Sequence, residues 1–149
     1  MRTAINYYAL KVQECSGSPP HEPTPVPSGT ASDPESPLIW WRTRAPSQFT
    51  EKDTTILRWA LLQNRIAEEP YWPDAVIGKV TAAINVAVGR LKTRPIDHPE
   101  VDLALSAMLA CALEHDVTSG ILISSALRRR ASIDPPCRVL SDLWLIADF

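Results

Sequence analysis

The sequence predicts an all-α protein, a compact bundle of about five helices behind a Pro-rich, irregular N-terminal arm. Three observations carry that prediction. Apolar residues recur at three- and four-residue steps beyond about residue 48, helix-start signals precede those runs, and eight of the 14 prolines fall between Pro19 and Pro46. Only Met1 to Gln13 and Leu38 to Arg42 carry patterns that a strand could use, and no repeat of fixed period is visible. Residues 1–47 therefore read as an arm with a Pro/Ser-rich linker and residues 48–149 as the helical bundle domain.

In the arm, Ala4, Ile5, Tyr8, Ala9 and Val12 fit one helical face, although Ile5, Tyr7 and Ala9 also fit an alternating strand. Cys15 to Pro37 strings together Ser, Gly, Pro, Thr and Glu with almost no large apolar residue. Such a composition buries too little surface to offset ordering entropy, so it reads as a linker stiffened locally by polyproline II. Its prolines at 19, 20, 23, 25 and 27 could also enter an aromatic groove, but composition favours the plain linker. Leu38-Ile39-Trp40-Trp41 then breaks the polar stretch, followed by Arg42 and Arg44. Burying each indole is worth about 2–3 kcal/mol, so two adjacent rings need a dry surface, either on the bundle or on a partner.

The first bundle helix is expected over 50–68, with Thr50 as cap, Asp53 closing a capping box, and a wide apolar face that includes Ile56, Leu57, Trp59, Leu61 and Leu62. A second, over 74–92, places Ile77, Val80, Ile84, Ala87 and Leu91 along a seam beside the small residues Gly78, Ala82 and Gly89. The third, over 98–115, is the hub. Asp97 as cap with Glu100 forms a capping box, Ile96 and Val101 have the spacing of a hydrophobic staple, and Pro99 suits the first turn. From Val101 to Leu113 only Asp102 is charged, and a helix apolar nearly all round is a buried one. A fourth, over 120–131, follows a cap at Thr118 or Ser119 and ends in Arg128-Arg129-Arg130. The last, over 135–147, starts at Asp134 with Pro135 and Pro136 in its first turn and carries Val139, Leu140, Leu143, Trp144 and Ala147.

Chemistry is harder to find in these residues than structure. Cys111 with His115, and His98 with Asp102, are pairs four apart on one helix, but roughly 20 Å of helix separates the two pairs, so no metal site is expected. No glycine-rich phosphate loop, nucleophile elbow or HExxH motif occurs, so no cofactor and no catalytic residue is assigned and an enzyme is not expected. Cys137, near backbone donors and Arg138, is the one thiol placed for reactivity; Cys111 sits in the most apolar helix and reads as inert. A Cys137 and His115 nucleophile pair would need a loop motif that neither residue has.

What remains is a small protein-interaction module: an adaptor, an inhibitor or anti-activator, or a subunit of a larger assembly. Its partner is expected to be another protein, with Trp40, Trp41, Arg42 and Arg44 as contact residues, because Trp and Arg are enriched at binding hot spots. The alternative is a nucleic-acid-binding accessory protein that uses Arg128, Arg129 and Arg130 on phosphates, although these sit at a helix C-terminus, where they also complement the helix dipole. A net charge of −2 gives no general attraction to nucleic acid or to an acidic membrane surface, and no membrane partner is expected. A homo-oligomer is compatible with the sequence. Three cysteines without CxxC spacing, and no apolar leader, point to reduced thiols in the cytoplasm. Because the hub helix carries the core, Leu105→Ala and Leu109→Ala should each cost about 2–5 kcal/mol, measured by denaturant unfolding. A loss below about 1 kcal/mol at both positions would remove that helix from the centre.

Overall fold

A computed structural model describes residues 36–147; the arm segments Met1 to Gln13 and residues 15–35 lie outside the described residues. Within them the chain is all-helical, with no strand. A 3-10 helix, Pro37–Arg42, and a short one, Pro46–Gln48, precede α1 (Glu51–Leu62), α2 (Trp72–Val76), α3 (Val80–Thr93), α4 (Pro99–Leu113), α5 (Val117–Arg130) and α6 (Cys137–Leu145). Leu38 to Arg42 is thus helical rather than a strand, and Pro37 opens that helix instead of ending an irregular linker. Ser36 accepts from the Leu38 amide and so caps it, and the core cluster takes in Leu38, Trp40 and Trp41.

The expected hub is the hub. Every residue from Val101 to Ala112 is buried, and α4 packs against α1, α3, α5 and the first 3-10 helix. Ala104, Ala107, Ala110 and Ala112 let neighbours approach closely, while Leu105, Met108 and Leu109 fill the spaces between them. The start of α4 differs in its cap. His98, not Asp97, occupies the cap position, and its Nδ1 accepts from the Glu100 amide at 3.2 Å. Glu100 therefore does not close a box; it pairs with Arg90 at 3.3 Å and Arg94 at 3.2 Å, tying α4 to the end of α3. Ile96 and Val101 are both buried, but with His98 as the cap the staple positions fall on Asp97 and Asp102, so the expected staple is corrected along with the cap.

Two expected helices are shorter or broken, each for a local reason. The helix expected over 50–68 stops at Leu62 because Asn64 turns back: its side-chain amide donates to Ala60 O at 2.8 Å, and its own carbonyl accepts the Trp72 indole N–H at 3.0 Å. Its start is as read, with the Asp53 carboxylate accepting from the Thr50 amide at 2.7 Å. The helix expected over 74–92 is split into α2 and α3 at Gly78, which has φ +98°. The Arg58 guanidinium lies 2.5 Å from where a Cβ would stand on that glycine, donates to Val76 O at 2.7 Å and pairs with Glu114 at 2.7 Å. The break thus makes room for a side chain from α1 that reaches to the end of α4.

The split moves the seam. Ile77, expected in the core, is 64% exposed; Val80, Ile84 and Leu91 are only partly buried, and Ala82, Ala83, Val86 and Ala87 form the buried face of α3. Gly89 has open space beside it, so the small-residue track does not extend that far. Helix α5 is capped by Asp116, whose carboxylate accepts from the Ser119 amide at 2.7 Å, rather than by Thr118 or Ser119. Helix α6 begins at Cys137, one turn after Asp134, whose backbone carbonyl accepts from the Cys137 amide. It pairs with α5 through Ser124 and Ser141, each of whose hydroxyls donates to the other residue's carbonyl, at 2.8 and 2.9 Å.

At Gly78 a substitution tests the split directly. Gly78→Ala should lower stability by about 1–2 kcal/mol, from the left-handed backbone and the displaced Arg58 together, read from the denaturant midpoint. An unchanged midpoint would mean that the break between α2 and α3 does not need glycine.

Candidate functional site

The residues marked for partner contact are the ones that close the fold. Trp41 is fully buried and Trp40 nearly so. The Trp41 indole N–H donates to Asp102 Oδ1 at 2.9 Å, and Arg42 donates to both carboxylate oxygens, at 3.0 and 3.2 Å. Ser106, one turn further along α4, donates from its hydroxyl to Leu38 O at 2.7 Å. The expected contact surface of Trp40 and Trp41 is therefore corrected: the dry surface these rings need is their own bundle. Arg44 lies 3.9 Å above the Trp40 ring and 3.5 Å from Asp53, so it too is engaged within the chain. Trp40 Nε1 finds no acceptor among the described residues, a cost that the cation above its ring and the burial of its apolar surface offset.

The three arginines of α5 serve three different contacts. Arg128 faces Asp142 at 3.6 Å on α6, Arg129 donates to Leu91 O at 2.7 Å, and Arg130, buried, reaches Ile96 O and Asp134. The alternative reading put these three guanidinium groups on phosphates. Here Arg129 and Arg130 supply donors to carbonyls at and beyond the C-terminal end of α3, and only Arg128 and Arg129 are exposed.

Neither described thiol is placed to react. Cys137 is buried, and its thiol is pushed up to about 11, first by burial and then by the Asp134 carboxylate that accepts its S–H at 3.4 Å; Arg130 and Arg42 oppose the shift. It stays protonated at neutral pH, which corrects the reading of Cys137 as the reactive thiol. Burial also raises Cys111, against the opposing pull of Arg58. His98 is used as a cap and Asp102 in the Trp41 and Arg42 contacts, so that helical pair is committed elsewhere; among the described residues no group of three or more His, Cys, Asp or Glu could hold a metal ion.

An open feature of the surface lies at the other end of α4. A groove of about 530 Å³ runs between the Pro46–Gln48 turn, the start of α1, the end of α4 and α6. Phe49, Leu113 and Leu143 give it apolar walls, and Thr50, Glu51 and His115 stand among its polar ones. Phe49 is fixed from behind by Trp40 and Trp144, whose rings lie 6.2 and 6.0 Å away. His115 is held at φ +71° by the end of α4: its amide donates to Ala112 O and the Asp116 amide to Cys111 O, the paired bonds of a Schellman turn, in which glycine is the usual occupant. Comparison with protein-family models, curated proteins and solved structures finds no match to this chain. The site is thus read from its geometry.

Along α6 the apolar wall continues past the groove. Leu143, expected in the core, is 38% exposed, and Val139 and Ile146, four residues before and three after it, are 64% and 74% exposed on the same helix face. Sequence reasoning placed Val139, Leu143 and Trp144 together on one apolar stripe of the last helix. The inward face of α6 is instead Cys137, Ser141 and Trp144. On α1, Ile56 and Trp59 are likewise about half exposed, one turn apart, on a face turned away from the buried Leu57 and Leu61. The signal available in the sequence was surplus: both helices carry apolar residues around more of the circumference than one small core can cover.

The Asp102 contacts predict a graded response. Asp102→Ala leaves a buried indole N–H and a half-buried guanidinium without their acceptor and should cost about 3 kcal/mol by denaturant unfolding. Asp102→Asn keeps one acceptor and should cost less. Equal, small losses for both would show that the carboxylate does not hold the N-terminal 3-10 helix in place.

Proposed function

We propose that this protein is a non-enzymatic protein-interaction module, an adaptor, inhibitor or subunit, whose docking surface is the groove between α1, α4 and α6 together with the exposed apolar face of α6. The single observation that supports this most is the continuity of that surface: Val139, Leu143 and Ile146 share one exposed helix face, and Leu143 also lines the groove with Phe49 and Leu113. Isolated exposed apolar residues are ordinary on a monomer, but a run that leads into a concave apolar groove has the form of a binding site. Phe49 supplies an anchor whose position is set by the rings behind it. Trp40 and Trp41 then act indirectly, by fixing the wall rather than touching the partner.

No helix among the described residues is long and apolar enough to cross a membrane. A cytoplasmic setting remains part of the proposal, on the sequence's three cysteines without CxxC spacing. Nucleic-acid contact through Arg128, Arg129 and Arg130 has weaker support, because each of these side chains already meets a carbonyl or carboxylate of its own chain.

The reading is tested by Val139→Glu/Leu143→Glu. Both positions are exposed, so the double variant should fold with a stability change within about 1 kcal/mol. In affinity purification from the native cell it should lose at least about tenfold of whichever specific partners the wild type retains, equivalent to about 1.4 kcal/mol. Equal recovery of every specific partner by the folded double variant would overturn the docking role of this surface.

A further inference from the structure

The backbone hydrogen bonds of residues 36–49 are all local: Ile39 donates to Ser36 O, Thr43 and Arg44 to Trp40 O, Gln48 to Ala45 O and Phe49 to Pro46 O. Among the described residues, no backbone bond joins this segment to the rest of the bundle. Its polar ties run through side chains instead. Trp41 and Arg42 donate to Asp102, the Ser106 hydroxyl donates to Leu38 O, the Trp144 indole donates to Arg44 O, and Arg44 stands beside Asp53. Short 3-10 helices also have poorer hydrogen-bond geometry than the α-helices beneath them. The segment is thus a strap laid on α1 and α4, held by buried side chains rather than by shared secondary structure.

These side chains interlock. Asp102 takes Trp41 and Arg42 together, Arg44 lies over the Trp40 ring, and Phe49 packs on Trp40, so lifting one residue unseats the next. What the strap covers has its own support: α4 keeps α3 and α5 against it, α6 keeps α5, and the start of α1 keeps the Thr50 and Asp53 contact. The strap also supplies Ala45, Pro46, Ser47 and Phe49 to the lining of the groove. We infer that residues 36–49 are a latch, which undocks from α1 and α4 as one unit while the bundle stays folded, and that the groove exists only while the latch is closed. A partner that binds the closed form alone holds the latch shut, and opening the latch releases the partner. That consequence rests on the reading of the groove as a docking surface.

Hydrogen exchange of the full chain, followed by NMR at rising denaturant below the unfolding transition, tests the latch without a partner. The amides of Ile39, Arg44 and Phe49 and the Trp41 indole N–H should share one opening equilibrium. It should be at least about a hundredfold more populated than the opening that exposes the amides of Leu105 to Ala110. Val86→Ala weakens the buried face of α3, which packs on α2 and α4; it should speed the α4 set and leave the strap set at its original rates. Asp102→Asn should speed both sets by one factor, because its contacts are lost in either opening. A single opening shared by strap and α4 in the unaltered chain would overturn the inference, as would strap protons that open singly with no common denaturant dependence. So would a Val86→Ala effect of equal size on both sets. A Phe49 amide that follows the α4 set would separate the groove wall from the latch and overturn their coupling. The capture experiment with Val139→Glu/Leu143→Glu is independent of all these results: equal recovery there removes the docking role and leaves the latch as measured, so the two failures are distinguishable.

Discussion

A carboxylate inside the most apolar helix is the constraint on which the rest of this fold depends. Asp102 is 3% exposed, and removing a charge from water costs several kcal/mol unless it is paired and hydrogen bonded. The chain meets that requirement from one short stretch: the Trp41 indole and the Arg42 guanidinium, on adjacent residues, both point at the same carboxylate. Because the three groups satisfy one another only in this geometry, the 3-10 helix Pro37–Arg42 has one place to sit on α4. Apolar contacts alone would hold Leu38 and Trp41 against the bundle. The polar contacts fix where along it.

That registration reaches the groove through a chain of rings. Once Trp41 is fixed, Trp40 projects to the neighbouring side, where Arg44 lies over it and Phe49 packs beside it; Phe49 in turn meets Trp144 of α6. The Trp144 indole N–H donates to Arg44 O at 3.4 Å, which closes the circuit back to the segment that began it. The wall of the groove is therefore tied to the core by residues more than 90 positions apart in sequence. A site supported in this way keeps its shape without a ligand, which lowers the ordering cost of binding.

The fold was legible in the sequence to the extent that local rules set it. The Thr50 and Asp53 capping contact and the all-round burial of α4 are consequences of spacing and residue type, and they appear where spacing puts them. The departures arise from contacts between residues distant in sequence. Nothing near Gly78 announces that Arg58 will pass over it toward Glu114, and nothing near Asn64 announces that Trp72 will need its carbonyl. The candidate site was legible only in reverse. A Trp-Trp-Arg run has the composition of a hot spot, yet the aspartate that claims it lies 60 residues away in a helix that spacing marked as core. The same helical period that correctly finds an amphipathic face cannot say how much of a wide face the neighbours will cover.

Coverage is the quantity on which the proposed docking surface rests. Helix α4 consumes the bundle's capacity for burial: α1, α3, α5 and the N-terminal 3-10 helix all pack on it, and α6 packs chiefly on α5. The two helices at the periphery, α1 and α6, can each bury one narrow face, and each carries more apolar residues than that face holds. On α1 the surplus, Ile56 and Trp59, stands on a convex helix side. On α6 it leads into a concavity whose walls come from three other segments and include Phe49, which packs against the buried Trp40 and Trp144. Convex apolar residues gain little from a partner, since each is covered on one side only, whereas a concave site surrounds its ligand and excludes water from it. The surplus on α6 is thus the one on which the proposed docking surface rests, and the aspartate buried in α4 anchors the segment that leads to the opposite wall.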